Sequence, residues 1–381
     1  MSCSPSKQTK LVFRPSDRDN EIDATLRITD EAPLKIGASF DNTGTSSTGD
    51  YRLGLLVQHA NLFDLDHIAS AQIITSPGYE NKVKIIGLGY KIPLYRLGDS
   101  IDLAYGYSNV DSGSVSVAGG VLGISGSGHI ASAKYNVYLP NISNWEQKLS
   151  LGLDFRAYSN SVTATNSNES LVPDITVHPI SLTYSGLTQL EALDFSTYLT
   201  LAQNISGGAK GRAADVEASR AGASSSYNIF RLGFGLGYTL PANWTLRGTI
   251  AGQYTNDLLV SGEQFGVGGH DTVRGFQERE IAKDQGTRAS VEIYTPNIAS
   301  LLGLSDVRAQ VLAFYDTAQV RQNQPLPGEQ ASENIASTGL GLRLGYARNL
   351  SIKFDYGIVT QAAGTQKVGG SRLHGSLLWF F

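Results

Sequence analysis

The sequence predicts an all-β chain closed into a transmembrane barrel of sixteen antiparallel strands, and three observations predict it. Apolar residues recur at every second position through run after run. The runs are close to the roughly 9–11 residues that a tilted strand needs to cross a bilayer. The links between them alternate between short and long, as in barrels with tight turns at one end and loops at the other. Composition agrees: 42 of 381 residues are glycine with no collagen-like period, which favours turns and closely packed strands. Hydrophobic residues make up only 41% and charged ones 17%, with a mean hydropathy of -0.12. No stretch approaches the roughly 18 consecutive apolar residues of a membrane helix, so a helical membrane protein is excluded. A barrel hides its apolar residues in alternation and is not.

The elements follow in order. Before residue 34, Leu11 to Pro15 and Ile22 to Ile28 read as two short strands joined by the polar turn Ser16 to Glu21. That segment is too short to bury a core of its own. Residues 1–33 are therefore expected to be the remnant and linker of a domain whose rest lies upstream. The start has neither the basic nor the apolar region of a secretory leader, and it reads as processed or truncated. Cys3 is the only cysteine, which rules out a disulfide framework or a cysteine-ligated zinc within one chain. Lipidation at Cys3 is a less favoured reading, because no apolar segment precedes it.

From residue 34 the predicted strands are 34–43, 50–60, 66–76, 81–93, 100–109, 128–140, 145–158, 174–185, 191–204, 226–240, 243–255, 286–296, 306–318, 334–347, 349–360 and 371–381. Leu350, Ile352, Phe354, Tyr356 and Ile358 share one face of a run, and Ser351, Lys353, Asp355 and Gly357 the other. Leu232, Phe234, Leu236 and Tyr238 oppose Arg231, Gly233, Gly235 and Gly237 in the same way. An even strand number puts both chain ends on one side. Parity flips at Pro179, which predicts a bulge there. Trp145, Trp244 and Trp379, with Tyr138, Tyr238 and Tyr346, lie near strand ends and suit an interfacial girdle. A soluble sandwich would also alternate, but the polar face carries charges of both signs, among them Asp154, Arg156, Arg231, Arg288, Glu292, Asp316, Arg343 and Asp355, as a wet lumen would. No blade-length repeat supports a propeller.

The link after the eleventh strand is the most informative stretch. It runs from Ser261 through Glu263, Phe265, Gly268 and Gly269 to Val273, Arg274, Gly275 and Phe276, and it is the sixth on the long-loop side. Its glycines lack phosphate-loop spacing and a following helix. A loop of that length in a compact protein is usually functional. Val273, Arg274, Gly275 and Phe276 resemble the V-R-G-Y/F motif in the sixth external loop of barrels that carry periplasmic POTRA domains. Glu263 to Phe265, Gly268 and Gly269, Asp284 to Gly286, and Phe40 to Gly44 followed by Gly49 to Arg52 resemble the two-partner secretion branch, the hemolysin-activator and hemagglutinin transporters. The likeness covers about residues 10–381.

The resemblance implies more. The family's F-x-D-x-G motif falls on Phe314, Asp316 and Ala318, with alanine in place of glycine. Strand parity independently points Phe314 and Asp316 into the lumen. In the family the motif arginine folds inward and pairs with this aspartate, which implies Arg274 on Asp316. The terminal stretch with Trp379 and Phe381 resembles the C-terminal signal by which such barrels are inserted. The implied protein is a bacterial outer-membrane pore that secretes a β-rich exoprotein captured by upstream POTRA domains. It would be a monomer in lipid, placed there by the barrel assembly machinery.

Rival readings remain open at this stage: a barrel assembly factor of the same superfamily, a barrel enzyme, or a solute porin. The six histidines show no paired metal spacing, and no G-x-S-x-G elbow appears, so no metal, cofactor or catalytic site is expected. A net charge of -4 argues against a nucleic-acid partner. Mixed-sign lumen charges give no evident selectivity ring for a porin.

Overall fold

The computed structural model describes residues 7–16, 18, 21–110, 113–118, 120–124, 127–159 and 173–381. Sixteen antiparallel strands close into one barrel. They are β1 (Leu34–Asp41), β2 (Arg52–Leu62), β3 (His67–Thr75), β4 (Ile85–Leu94), β5 (Asp99–Ser108), β6 (Gly128–Ile142), β7 (Trp145–Tyr158), β8 (Ile175–Val177 continued by Pro179–Gln189), β9 (Leu193–Asn204), β10 (Asn228–Thr239), β11 (Thr245–Tyr254), β12 (Gln285–Tyr294), β13 (Val307–Arg321), β14 (Ser332–Tyr346), β15 (Leu350–Gln361) and β16 (Ser371–Phe380). Each pairs with its chain neighbours, and β16 closes on β1.

The alternation read from the sequence explains why the sheet curls with one face outward. Leu151, Leu153, Phe155, Leu182, Leu201, Phe234, Leu236, Ile250, Val291, Leu340 and Phe354 are all exposed on the outer wall. In water such a band would be a severe liability, whereas in a bilayer it is the required surface. No helix among the described residues is long and apolar enough to cross a membrane. β8 breaks at His178, whose N–H donates to Asn204 Oδ1 at 2.6 Å, one residue before the bulge expected at Pro179. Proline supplies no ladder donor, so the side-chain amide next door takes up the displaced backbone group.

The barrel wall begins at Leu34 and finishes at Phe380 at the same end as the short turns, and the long loops lie at the other. The hairpin Lys7–Pro15 with Ile22–Asp30 stands at the short-turn end, where Lys7 Nζ meets Asp66 at 2.6 Å. Of the six aromatics expected in a girdle, all fall at this same end. Tyr138 departs from the expectation: its hydroxyl accepts from Lys91 Nζ at 3.1 Å and lies near Ser100 on the lumen face, because it shares the parity of Lys134 and Asn136. The loop between β5 and β6 contains a small hairpin, Gly113–Val117 with Gly120–Ile124. The linking residue Ala118 is buried against the wall at Gly89, where an added Cβ would sit 2.5 Å from the Ala118 nitrogen. Cys3 and most of the 159–173 loop lie outside the described residues.

Candidate functional site: the loop docked in the lumen

The loop between β11 and β12 enters the barrel as a hairpin. Phe265–Val267 pairs with Ile281–Lys283, and residues 268–280 form the tip. The tip reaches the inner wall of β12, β13, β15 and β16, and Arg274 makes most of its polar contacts. Arg274 Nε donates to Asp316 Oδ2 at 2.7 Å and Nη2 to Asp316 Oδ1 at 2.8 Å, a bidentate fork on one carboxylate. Its backbone N–H adds a third bond to Asp316 Oδ2 at 3.1 Å. Nη1 lies 2.7 Å from Glu292 and 3.4 Å from Asp355. The guanidinium carbon lies 3.5 Å from the centre of the Phe314 ring, a cation–π contact made while the same group forks onto Asp316. Asp316 is fully buried and Arg274 is 5% exposed. Burial works against the charge of Arg274, but Asp316, Glu292 and Asp355 outweigh it and hold the guanidinium above its ordinary range.

The other motif residues explain how the arginine is delivered. Gly275 sits at φ +93°, a left-handed conformation, and its N–H donates to His374 Nε2 at 3.0 Å. The wall opposite is Gly357, where a Cβ would fall 2.7 Å from the Gly275 nitrogen, so glycine on the strand lets the two backbones touch. Val273 and Phe276 have no exposed surface and pack with Val267, Ile281, Ala318, Val320, Ile335 and Val359. Ala318, standing where the F-x-D-x-G pattern has glycine, contributes its methyl to this cluster. The structure thus brings Val273, Arg274, Gly275, Phe276, Phe314 and Asp316 together. Trp379 and Phe381 lie far from them at the short-turn end, with ring centres 4.6 Å apart.

Two further anchors hold the stem, and sequence reasoning did not assign them. The Glu263 side chain is 1% exposed and accepts from Arg156 Nη1 at 2.7 and 3.0 Å, from Tyr158 Oη at 2.7 Å and from Arg231 Nη2 at 3.4 Å. Burial raises the Glu263 carboxyl, but Arg156 and Arg231 outweigh it and hold it below the usual carboxylate range. Asp284, also fully buried, receives Arg220 from the β9–β10 loop, with Nη2 2.9 Å from Oδ2. It also accepts the backbone N–H groups of Leu259 at 3.0 Å and Asn323 at 2.9 Å. Beside it Leu258, Leu259 and Val260 join Val216, Ala223 and Tyr227 in an apolar cluster that includes the short helix Ala213–Ser219. The sequence signalled only the lumen-facing parity of Arg231 and of Arg156, which also pairs with Asp154 at 2.6 Å, and parity names no loop acid as their partner.

Loop and wall together form a plug held at three carboxylates, with a cavity of about 560 Å³ beneath the tip. Among the described residues no group of three or more histidine, cysteine or acidic side chains is arranged to hold a metal ion.

Residues 21–344 match the family described as haemolysin secretion/activation protein ShlB/FhaC/HecB. The chain belongs to that family. It is thereby an outer-membrane barrel of the two-partner secretion type, whose partner is a secreted exoprotein. Among solved structures, CdiB from Escherichia coli is similar with a TM-score of 0.78 at 16% identity, covering 98% of this chain and 67% of that one. CdiB from Acinetobacter baumannii is similar with a TM-score of 0.72 at 16% identity, covering 99% of this chain and 66% of that one. BamA from Haemophilus ducreyi lacking POTRA domains 1–3 follows at 0.60 and 14% identity, covering 98% and 75%. These likenesses establish the fold. The chain spans about two thirds of the length of the CdiB structures. No curated protein matches it by sequence. For this member of the haemolysin secretion/activation family, the short-turn end is the periplasmic end.

Proposed function

We propose that the barrel is a protein-translocating pore that passes an unfolded, β-rich exoprotein to the cell surface, and that the docked sixth loop conditions its opening. The carrying observation is the Arg274 fork on buried Asp316, which offsets the entropy of ordering a long loop inside a wet lumen. Val273, Gly275 and Phe276 deliver the arginine, and Phe314 and Asp316 receive it. The reaction is transport without covalent chemistry, and no nucleotide or cofactor takes part. Lipid surrounds a monomeric barrel, and Trp379 and Phe381 serve its insertion by the barrel assembly machinery. The hairpin within residues 1–33 is the remnant of a POTRA domain that captures the client. Its exposed Leu11, Phe13, Leu26 and Ile28 support that reading, as an apolar face that needs a partner.

A second reading, assembly of other barrels, is favoured by one feature. The β16–β1 seam is only five residues long, Ser376 to Phe380 against Gly37 to Asp41. Co-expression with a cognate exoprotein separates the two. The secretion reading predicts that Arg274→Ala stops export while the barrel keeps its heat-modifiable gel mobility. Normal export by that variant removes the role given to the loop. A general loss of other outer-membrane barrels on depletion favours assembly.

A further inference from the structure

The stretch Phe40 to Gly44 forms the external end of the seam between β1 and β16. The backbone ladder stops early there, at Asp41 opposite Ser376, after five residue pairs. Beyond it Asp41 turns the chain away, because its Oδ1 accepts from the Thr43 N–H at 2.9 Å and from the Thr43 hydroxyl at 2.6 Å. The next backbone groups of β16 would lose their partners, and the Asn42 side chain meets them. Its Oδ1 accepts from the Gly375 N–H at 2.8 Å and its Nδ2 donates to the Leu373 carbonyl at 2.7 Å, while the Asn42 N–H reaches the Gly375 carbonyl at 3.2 Å. Arg372 Nη2 adds bonds to the carbonyls of Gly44 at 3.2 Å and Asn42 at 3.4 Å. The loop tip grips the same segment from the lumen. Between the two clasped residues lies buried His374, whose Nε2 accepts the Gly275 N–H at 3.0 Å. Gly275 also rests on Gly357, the ladder partner of Arg372.

We propose that Asn42 is a clasp that holds the external half of the β1–β16 seam shut, and that the docked tip steadies this clasp through His374. Releasing the tip then loosens the seam as well, so the plug and the wall behind it give way together. The proposal goes beyond the secretion reading, since it needs a loop that docks and not a particular cargo. Residues 373–375 carry both contacts, with their backbone edge on Asn42 and the His374 ring on Gly275. The five-pair seam is the shortest ladder in the wall, the next being the seven pairs of β3 with β4. Local opening starts where the pairing is weakest. The coupling also runs both ways: what docking contributes to the clasp, the clasp returns to docking.

Hydrogen exchange on the purified barrel in lipid nanodiscs, with the wild type beside Asn42→Ala and Arg274→Ala, tests both halves. Asn42→Ala loses two side-chain bonds and should speed exchange of residues 37–42 and 371–376 roughly tenfold, with β13 and β14 unchanged and a smaller rise across 268–280. Arg274→Ala should speed the same seam segments about fivefold, together with the tip. Asn42→Asp keeps an acceptor for the Gly375 N–H but has no donor for the Leu373 carbonyl. It should fall between the wild type and Asn42→Ala, and it carries the test if the alanine variant does not assemble. Seam protection unchanged in both Asn42 variants overturns the clasp. A freed tip beside a seam as protected as in the wild type overturns the coupling. Both readouts are taken without an exoprotein, so they stand or fall apart from the secretion reading.

Discussion

Replacing Arg274 by alanine removes two side-chain bonds to Asp316, the contact with Glu292 and the stack on Phe314 in one step. The acids it leaves differ in their remaining partners. Glu292 keeps the Tyr294 hydroxyl at 2.7 Å, and Asp355 keeps Arg343 at 2.9 Å. Asp316 keeps only the Ser290 hydroxyl at 2.6 Å besides the loop's own N–H, while having no exposed surface. Removing one partner of a buried pair costs about 3–5 kcal/mol, chiefly because the other charge is stranded. The lumen is wet, so the lower figure is the better guide. About 3 kcal/mol lowers the docking equilibrium of the tip by roughly a hundredfold. Hydrogen exchange in detergent should read this as fast exchange across 268–280, with β13 and β15 still protected. Arg274→Lys should behave nearly as badly, since an ammonium cannot fork onto Asp316 and stack on Phe314 together. Unchanged protection of the tip in Arg274→Ala would refute the reasoning.

Three further outcomes follow from the same geometry. Glu263→Gln removes the carboxylate that Arg156 and Arg231 share, but Arg156 keeps Asp154 at 2.6 Å and Arg231 keeps Gln253 at 2.7 Å, so the stem at 261–267 should loosen by only about 1–2 kcal/mol, seen as exchange there ahead of the tip. Gly357→Ala pushes a methyl to within 2.7 Å of the Gly275 nitrogen and should undock the tip while leaving β15 paired; protease nicking within 268–280 measures it. At His270, burial opposes the charge, but hydrogen bonds to Asp271 and Glu278 outweigh it and push the imidazole up to about 10. With the folded value raised above the ordinary 6.5, its contribution is complete below about pH 6.5 and is lost as pH climbs towards 10. Tip exchange, corrected for the intrinsic pH effect, should accelerate across that window, and His270→Gln should flatten the dependence.

The wall of the barrel was far more legible in the sequence than the contents of its lumen. Strand parity is a local property with period two, so the face of Asp316 follows from its neighbours Val311, Ala313 and Tyr315 alone. All sixteen predicted runs correspond to observed strands, most within two residues at each end. The sidedness of Tyr138 was equally available from parity, and reading it only as a residue near a strand end put it in the wrong layer. The stem anchors were not legible, because Arg156 and Glu263 lie 107 residues apart and Arg220 and Asp284 lie 64 apart. Nothing short-range in a loop signals which distant wall it will touch. The helix Ala213–Ser219 is likewise set by tertiary packing, with Val216 buried against Tyr227 and Leu259 while the rest of it offers little apolar periodicity.

The account rests on one physical coupling, that of the loop's arginine to the aspartate in the wall, as a condition for export. The most direct test is a double-mutant cycle on export of the partner exoprotein, with Arg274→Ala, Asp316→Asn and the two combined, each normalised to folded barrel. If the two side chains act as one unit, the combined variant is no worse than either single variant. Losses that multiply, or one single variant that exports normally, would contradict the account.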